Sequence, residues 1–277
     1  MKISIITINW NNNEGLKRTL ESVVSQTSRE YEYIVVDGAS TDGSVETIVR
    51  YANHSILRWV SEPDGGIYNA MNKGIRMATG EYVMMLNSGD WFVGEGVLEA
   101  LLAALERNGY PDILYGTTTK VWPNGRTMKN RSWEPYYSMF SFYRGSLDHV
   151  GTLIRRELFD RYGMYDESMK ICSDWAWFMR VVVFSNVQPV HVDVDSVFFD
   201  MTGISEDGGR NRLLIERERR KAIEALLPRP ILADYDRYSD DIVLMRRIRR
   251  HPFAYRMVRL TERLLFKMER CRKRGIR

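Results

Sequence analysis

Short apolar runs and segments of helical spacing take turns along the first third of the chain, separated by clusters of Asn, Asp, Ser and Gly. Residues 2–9 are rich in isoleucine with no sustained in–out alternation, the pattern of a strand buried on both faces. A polar turn at 11–13 offers a helix cap, and Leu16, Leu20, Val23 and Val24 then recur at helical spacing. Residues 31–36 repeat the buried-strand pattern, a loop runs from Asp37 to Gly43, and Val45, Ile48 and Val49 mark a second helix. A third strand at 56–60, a third helix at 67–78 and a fourth strand at 81–86 follow, closed by Asn87-Ser88-Gly89-Asp90.

Strands alternating with helices predict an α/β fold, an open and mostly parallel sheet flanked by helices with right-handed crossovers. Ligands bind such sheets outside the carboxyl ends of the strands. The polar clusters at 9–13, 37–42, 62–66 and 87–90 all fall at those ends, so four loops are expected to converge on one crevice. Beyond a strand at 112–118 the pattern loosens and turns aromatic, with Trp122, Trp133, Tyr136, Tyr137, Phe140, Phe142 and Tyr143 close together.

Composition narrows the class: 44% apolar and 27% charged residues describe an ordinary globular chain, not a disordered or fibrous one. Cys172 and Cys271 cannot form a disulfide framework, no CxxC occurs, and the opening MKISIITINW has no signal-peptide pattern, so a reducing, cytoplasmic location is expected. Cys172 reads as a small buried residue. The apolar stretches fall short of the roughly 18 residues of a membrane span, which points to a soluble or peripheral protein.

Residues 246–277 hold 13 Lys/Arg against two acidic residues, a net +11, while the other 245 residues carry 27 basic and 34 acidic side chains, a net −7. The overall +4 therefore hides an acidic body and a basic tail. In the tail Phe253, Met257, Leu260, Leu264 and Met268 form an apolar helical row, flanked by a basic row of Arg256, Arg259, Arg263, Lys267 and Arg270. This pattern suits either an interfacial helix on anionic lipid or a helix packed on the body with its arginines in solvent. Nucleic acid fits poorly with an acidic crevice.

Three motifs are absent: the GxGxxG dinucleotide turn, the GxxxxGK[S/T] phosphate loop and the GxSxG elbow. Asp37, Asp42, Asp64 and Asp90 would instead repel a phosphate, a conflict that a hard divalent cation such as Mg2+ or Mn2+ resolves by taking oxygens from both sides. The series IITINWNN, VVDGASTDGS, SEPDGGIYNAMNKGIRMATGEYVMMLNSGD and DHVGTLIRRELFDRYGMYDESMKICSDWAWFMR resembles, in this order, the family 2 glycosyltransferases of the GT-A fold, of the kind found in bacterial surface polysaccharide or glycolipid biosynthesis.

The resemblance implies a GT-A domain over 1–225, with a nucleotide-sugar half at about 1–118 and an acceptor half at 119–225, followed by a basic helical tail at 226–277. It places Thr7 and Asn9 on the donor nucleotide and Asp37 on a nucleobase N–H, which favours uridine or guanosine donors, uridine first. It places Asp64, Asn69 and Lys73 along the sugar and diphosphate. Asn87, Ser88 and Asp90 occupy the place of the acidic metal-binding motif; the resemblance puts Asn87 and Ser88 on the nucleotide sugar, and only Asp90 retains a carboxylate, so Mn2+ or Mg2+ is expected to lean on the diphosphate. Asp174 matches the base that deprotonates the acceptor hydroxyl in inverting transfer. His149 and Trp175 match positions near the acceptor or diphosphate, and 202–205 a loop over the donor. The implied activity is transfer from a nucleotide-diphosphate sugar to a lipid-linked saccharide at the inner face of the membrane. A catalytically silent nucleotide-sugar binding or scaffold protein is the alternative.

Overall fold

The computed structural model describes residues 2–53, 57–130, 136–203, 209 and 211–274, with side chains to 270. The elements run β1 (Ile3–Asn9), α1 (Asn13–Val24), β2 (Tyr31–Asp37), α2 (Ser44–Tyr51), β3 (Leu57–Ser61), α3 (Ile67–Met77), β4 (Tyr82–Met85), β5 (Trp91–Phe92) and α4 (Val97–Arg107). They continue through β6 (Ile113–Val121), β7 (Thr127–Asn130), α5 (Met139–Arg144), β8 (Thr152–Arg155), α6 (Glu157–Tyr162), α7 (Ser173–Phe178), β9 (Val190–Asp200), α8 (Arg212–Leu226), α9 (Arg229–Arg249) and α10 (Pro252–Arg274). The helix that carries Asp174, α7, begins at Ser173, and from Met179 to Phe184 the chain continues as a π-helical turn.

The strands form one mixed sheet in the order β3-β2-β1-β4-β8-β6-β9-β5, with β7 added to β6. The block β3-β2-β1-β4 is parallel, as the strand–helix alternation requires. β6 and β9 run with that block, and β8 is inserted antiparallel between β4 and β6. This insertion sets up the site: it brings the amino end of β8 to the carboxyl end of β4, where Val150 bridges Met85.

β1, β2 and β4 are almost wholly buried, and Leu16, Leu20, Val23, Leu98 and Leu101 from α1 and α4 pack on one face of the sheet. Apolar side chains on both faces of these strands drive that two-sided cover. The chain divides into two compact units, 1–222 and 223–277. In the second unit α10 leaves Phe253, Leu260, Leu264 and Met268 more than half exposed.

Candidate active site

In-register pairing sets Asn9, the last residue of β1, beside Asp37, the last residue of β2. Asp37 is fully buried, and its carboxylate accepts from Asn9 Nδ2 (2.8 Å), Ser40 Oγ (2.6 Å), Ser40 N (2.9 Å) and Ser61 Oγ (2.7 Å). Burial pushes its carboxyl up, but these bonds outweigh that and hold it below its ordinary value. Among the described residues the free acceptor at this point is Asn9 Oδ1, buried with no hydrogen-bond partner. Thr7 lies deeper: fully buried, it donates to Leu86 O (2.6 Å) and bonds the Tyr33 hydroxyl, tying β1 to β4 and β2.

Asp64 leans over Gly38, where a Cβ would stand 2.7 Å from Asp64 Oδ2 and 3.2 Å from the Trp10 ring. Trp10, at the mouth of β1, is 67% exposed. An open aromatic face beside a buried carboxylate and an unpaired amide oxygen suits a stacked nucleobase. Sequence reasoning passed over Trp10. Its signal was an indole among polar residues at the carboxyl end of a buried strand.

On α3 the polar side chains are already engaged. Asn69 accepts from Gly65 N (3.2 Å) and donates to Glu167 Oε2 (2.7 Å), closing the 63–66 loop against the 165–168 segment. Lys73 pairs with Glu62 (2.8 Å), so its charge is balanced within the fold.

Asn87-Ser88-Gly89-Asp90 forms a tight turn after β4, with Asp90 N donating to Asn87 O (2.9 Å) and Gly89 at φ +108°, a conformation that excludes most side chains. Thr19 of α1 clamps it, accepting from Gly89 N (3.0 Å) and donating to Asp90 O (2.7 Å). Ser88 Oγ donates to Asn12 O. Asp90 is 3% exposed, its Oδ1 takes the Asp200 N–H (2.9 Å), and burial pushes its carboxyl up to about 7.

Among the described residues no three His, Cys, Asp or Glu side chains gather as a metal cage. Asp90 is the one carboxylate of this turn, with its Oδ1 taken by the Asp200 N–H, so a hard cation here would draw the rest of its shell from phosphate oxygens and water.

At the other side of the turn, Asp174 is held by two partners. Tyr68 Oη lies 2.6 Å from Oδ1, and His149 Nδ1 lies 2.9 Å from Oδ2. Asp174 comes from the first turn of α7, Tyr68 from α3, and His149 from just before β8, so three separate segments meet here. Burial raises the Asp174 carboxyl, yet the His149 charge and both hydrogen bonds hold it below its ordinary value; the same pairing raises His149 against burial. His149 Nε2 faces Asn87 Nδ2 at 3.2 Å, joining this cluster to the turn. Tyr68 was not singled out in the sequence.

Trp175 lies 2% exposed and donates its indole N–H to Phe142 O and Gly145 O, so it presents no face to a sugar. Trp177 is equally buried and bonded to Gly163 O. Burial pushes the Cys172 thiol up to about 11, in keeping with an inert core residue. Residues 204 and 205 of the expected donor loop lie outside the described residues, as do His54 and Trp133.

The model of the Glycosyl transferase family 2 matches residues 4–187. A glycosyltransferase of Mycobacterium tuberculosis with no assigned reaction is 32% identical over 209 residues, 73% of this chain and 76% of its own. A PGL/p-HBAD biosynthesis glycosyltransferase of Mycobacterium bovis is 27% identical over 222 residues, 78% of this chain and 81% of its own. In three dimensions the chain resembles S. aureus TarS in complex with UDP, with a TM-score of 0.62 and 22% identity over 72% of this chain. That match spans 60% of the TarS chain, under two thirds of its length. It also resembles a mannosyltransferase from Pyrobaculum calidifontis in complex with GDP-Man and Mn2+, with a TM-score of 0.53 and 18% identity over 69% of this chain and 55% of the other.

Proposed function

The chain belongs to glycosyl transferase family 2 and is a glycosyltransferase, and on that premise we propose that it moves a sugar, with inversion, from a UDP-sugar to a hydroxyl of a lipid-linked saccharide. The observation that carries this reading is the meeting of two groups at the carboxyl ends of β1, β2 and β4. One is a base-recognition corner of Trp10, Asn9, Asp37 and Asp64; the other is a proton-accepting cluster around Asp174.

Trp10 stacks the nucleobase, and Asn9 Oδ1, whose amide Asp37 holds in place, accepts its imide N–H. Asp64 and the 63–66 loop, held by Asn69 and Lys73, border the sugar and diphosphate. Asp90 would hold Mg2+ or Mn2+, and such a cation would supply positive charge for the diphosphate. Asp174, with the partners it holds, provides the base that lets the acceptor hydroxyl attack opposite the departing diphosphate. The fold shared with UDP-bound and GDP-Man-bound proteins supports a nucleotide-diphosphate donor.

The acceptor reading rests on α10. Its apolar row, Phe253, Met257, Leu260, Leu264 and Met268, is 48–78% exposed and is flanked by arginines, the arrangement of a helix lying in an anionic lipid surface. Among the described residues no helix is long and apolar enough to cross a membrane. An enzyme placed on the inner face of the membrane would meet a lipid-linked acceptor there.

A thermal-stability panel of UDP, GDP, TDP and CMP, each with Mn2+, Mg2+ or chelator, tests the donor reading, because a ligand of the folded state raises the midpoint. A metal-dependent rise with UDP supports it, and a rise only with another nucleotide reassigns the donor. The depleted acidic turn favours a second reading, a silent nucleotide-sugar binding protein. Asp174→Asn separates the two: an active parent and an inactive variant that still binds UDP support the enzyme.

A further inference from the structure

We propose that Asp37 selects the nucleobase without touching it: it fixes the Asn9 carboxamide with the oxygen as its free end, so that the corner takes a base that offers an N–H and rejects one that offers a lone pair. The proposal rests on the UDP-sugar reading above and deepens it from a contact to a rule of discrimination.

Asp37 has no acceptor to spare for a ligand. Its Oδ1 accepts from Asn9 Nδ2 (2.8 Å) and Ser40 Oγ (2.6 Å), and its Oδ2 from Ser40 N (2.9 Å) and Ser61 Oγ (2.7 Å). Asn9, at the end of β1, is 4% exposed, and its Oδ1 has no hydrogen-bond partner. Leaving a buried acceptor unpaired is costly, and a ligand N–H recovers that cost.

The Asn9 amide is held against turning over. A carboxylate only accepts, so the Asn9 atom that faces Asp37 is the NH2, and the hydrogen bonds on Asp37 favour its ionised form. The same NH2 reaches Ser40 Oγ at 3.2 Å. Ser40 has no hydrogen to give an inverted amide, because its hydroxyl hydrogen goes to Asp37 Oδ1 and its oxygen also accepts from Asn11 N at 2.8 Å. The two loops are fixed around this contact. Asn11 and Ala39 hold φ of +48° and +57°, a left-handed conformation that costs a non-glycine residue, and the bonds from Asn11 N to Ser40 and from Thr41 N to Asn11 Oδ1 (2.8 Å) keep them there. The polarity of the corner is therefore set before a ligand arrives.

Uracil carries a hydrogen on N3, and cytosine has a lone pair at the same ring position. Against Asn9 Oδ1 the first makes a hydrogen bond, and the second sets two acceptors face to face. UDP and CDP share their ribose and diphosphate, so the ratio of their affinities isolates the base.

Asp37→Asn should reverse the polarity. The Ser40 N–H still needs an acceptor, so the new side chain keeps its oxygen there and puts its NH2 where Asp37 Oδ1 stood. Asn9 then turns its own oxygen to that NH2, and an amide N–H becomes the free end, which suits the cytosine lone pair.

Calorimetric titration of the full-length chain at fixed Mg2+ tests this. The parent is expected to bind UDP at least about tenfold more tightly than CDP, and than 3-methyluridine diphosphate, in which a methyl group replaces the N3 hydrogen. Asn9→Ala should bring UDP and CDP within about threefold of each other. Asp37→Asn should move the UDP-to-CDP ratio at least about tenfold toward CDP, whatever both affinities lose; a purely structural Asp37 would weaken both alike. A parent that binds UDP, yet takes CDP or the methylated nucleotide equally well, overturns the inference without any variant having to fold, and leaves the glycosyltransferase reading intact. An Asp37→Asn variant that keeps the parent's ratio overturns it too. A parent that binds none of the three overturns the proposed donor and the inference together.

Discussion

Asp64 Oδ2 occupies the space beside Gly38 so closely that a Cβ there would stand 2.7 Å away, and the Trp10 ring closes the other side at 3.2 Å. Gly38→Ala should therefore displace the two side chains that border the donor corner. Both are movable, so stability should change by less than about 1 kcal/mol, while UDP affinity falls about tenfold, roughly 1.4 kcal/mol. Calorimetric titration of UDP alongside thermal melts checks this, and an unchanged UDP affinity removes the corner from the donor site.

Glu218 of α8 accepts three successive backbone N–H groups, from Lys170 (2.6 Å), Ile171 (3.0 Å) and Cys172 (3.0 Å). This carboxylate organises the segment that leads into Asp174, and Arg219 beside it lies over Trp175 at 5.1 Å. Glu218→Gln turns an amide NH2 toward those donors and should cost about 1–3 kcal/mol of stability. Turnover should fall while UDP binding holds, since the base cluster shifts and the donor corner does not. Chemical denaturation paired with UDP titration reads both effects.

Glu32 gives the fold an acid-sensitive joint. It is 3% exposed and accepts from Ser4 Oγ (2.6 Å), Thr79 N (2.5 Å), Thr79 Oγ1 (2.9 Å) and Gly80 N (3.2 Å). Burial pushes its carboxyl up, and the hydrogen bonds outweigh burial to hold it below its ordinary 4.5. The folded state then binds fewer protons than the unfolded chain. Its contribution is complete above that value and is lost as pH falls below it. Glu32→Gln should lower stability at pH 7 and flatten the acid limb of the stability profile; an acid limb of unchanged slope rules out this role.

On α10, Leu260 and Leu264 are 52% and 61% exposed. Replacing both by Glu places charge on the apolar row without disturbing buried packing. Binding to phosphatidylglycerol vesicles should drop at least about tenfold in a sedimentation assay, the transfer cost of two leucines being several kcal/mol. The parent's binding should weaken with salt, because the flanking arginines act within a Debye length of the surface. Equal sedimentation of parent and variant would remove α10 from any membrane role.

Much of the crevice could be read before folding. Asn9, Asp37, Asp64 and the 87–90 turn lie at the ends of short apolar runs, and a run buried on both faces names its own strand and therefore its own loop. Asp174 was found because its motif is local. The partners of these residues were not legible in the same way. His149 and Tyr68 reach Asp174 from 25 and 106 residues away in sequence, and no periodicity encodes that meeting. Lys73 looked available for a diphosphate, but Glu62 lies in reach only when the loop before α3 folds back. Trp175 was placed near the acceptor or diphosphate, but it is buried with its indole N–H donated to Phe142 O and Gly145 O, about 30 residues away in sequence.

By itself, then, the sequence determined the strand–helix alternation, the parallel sense of the first strands, the loops that line the crevice and the amphipathic basic tail, since each follows from side-chain periodicity and the lengths of the segments between. The tertiary structure alone decided the antiparallel entry of β8 between β4 and β6, the saturation of Asp37 that leaves Asn9 Oδ1 unpaired, and the closure of Tyr68, Asp174 and His149 into one cluster. These depend on long-range pairing and on which hydrogen bonds burial forces to close, and neither is written in local spacing.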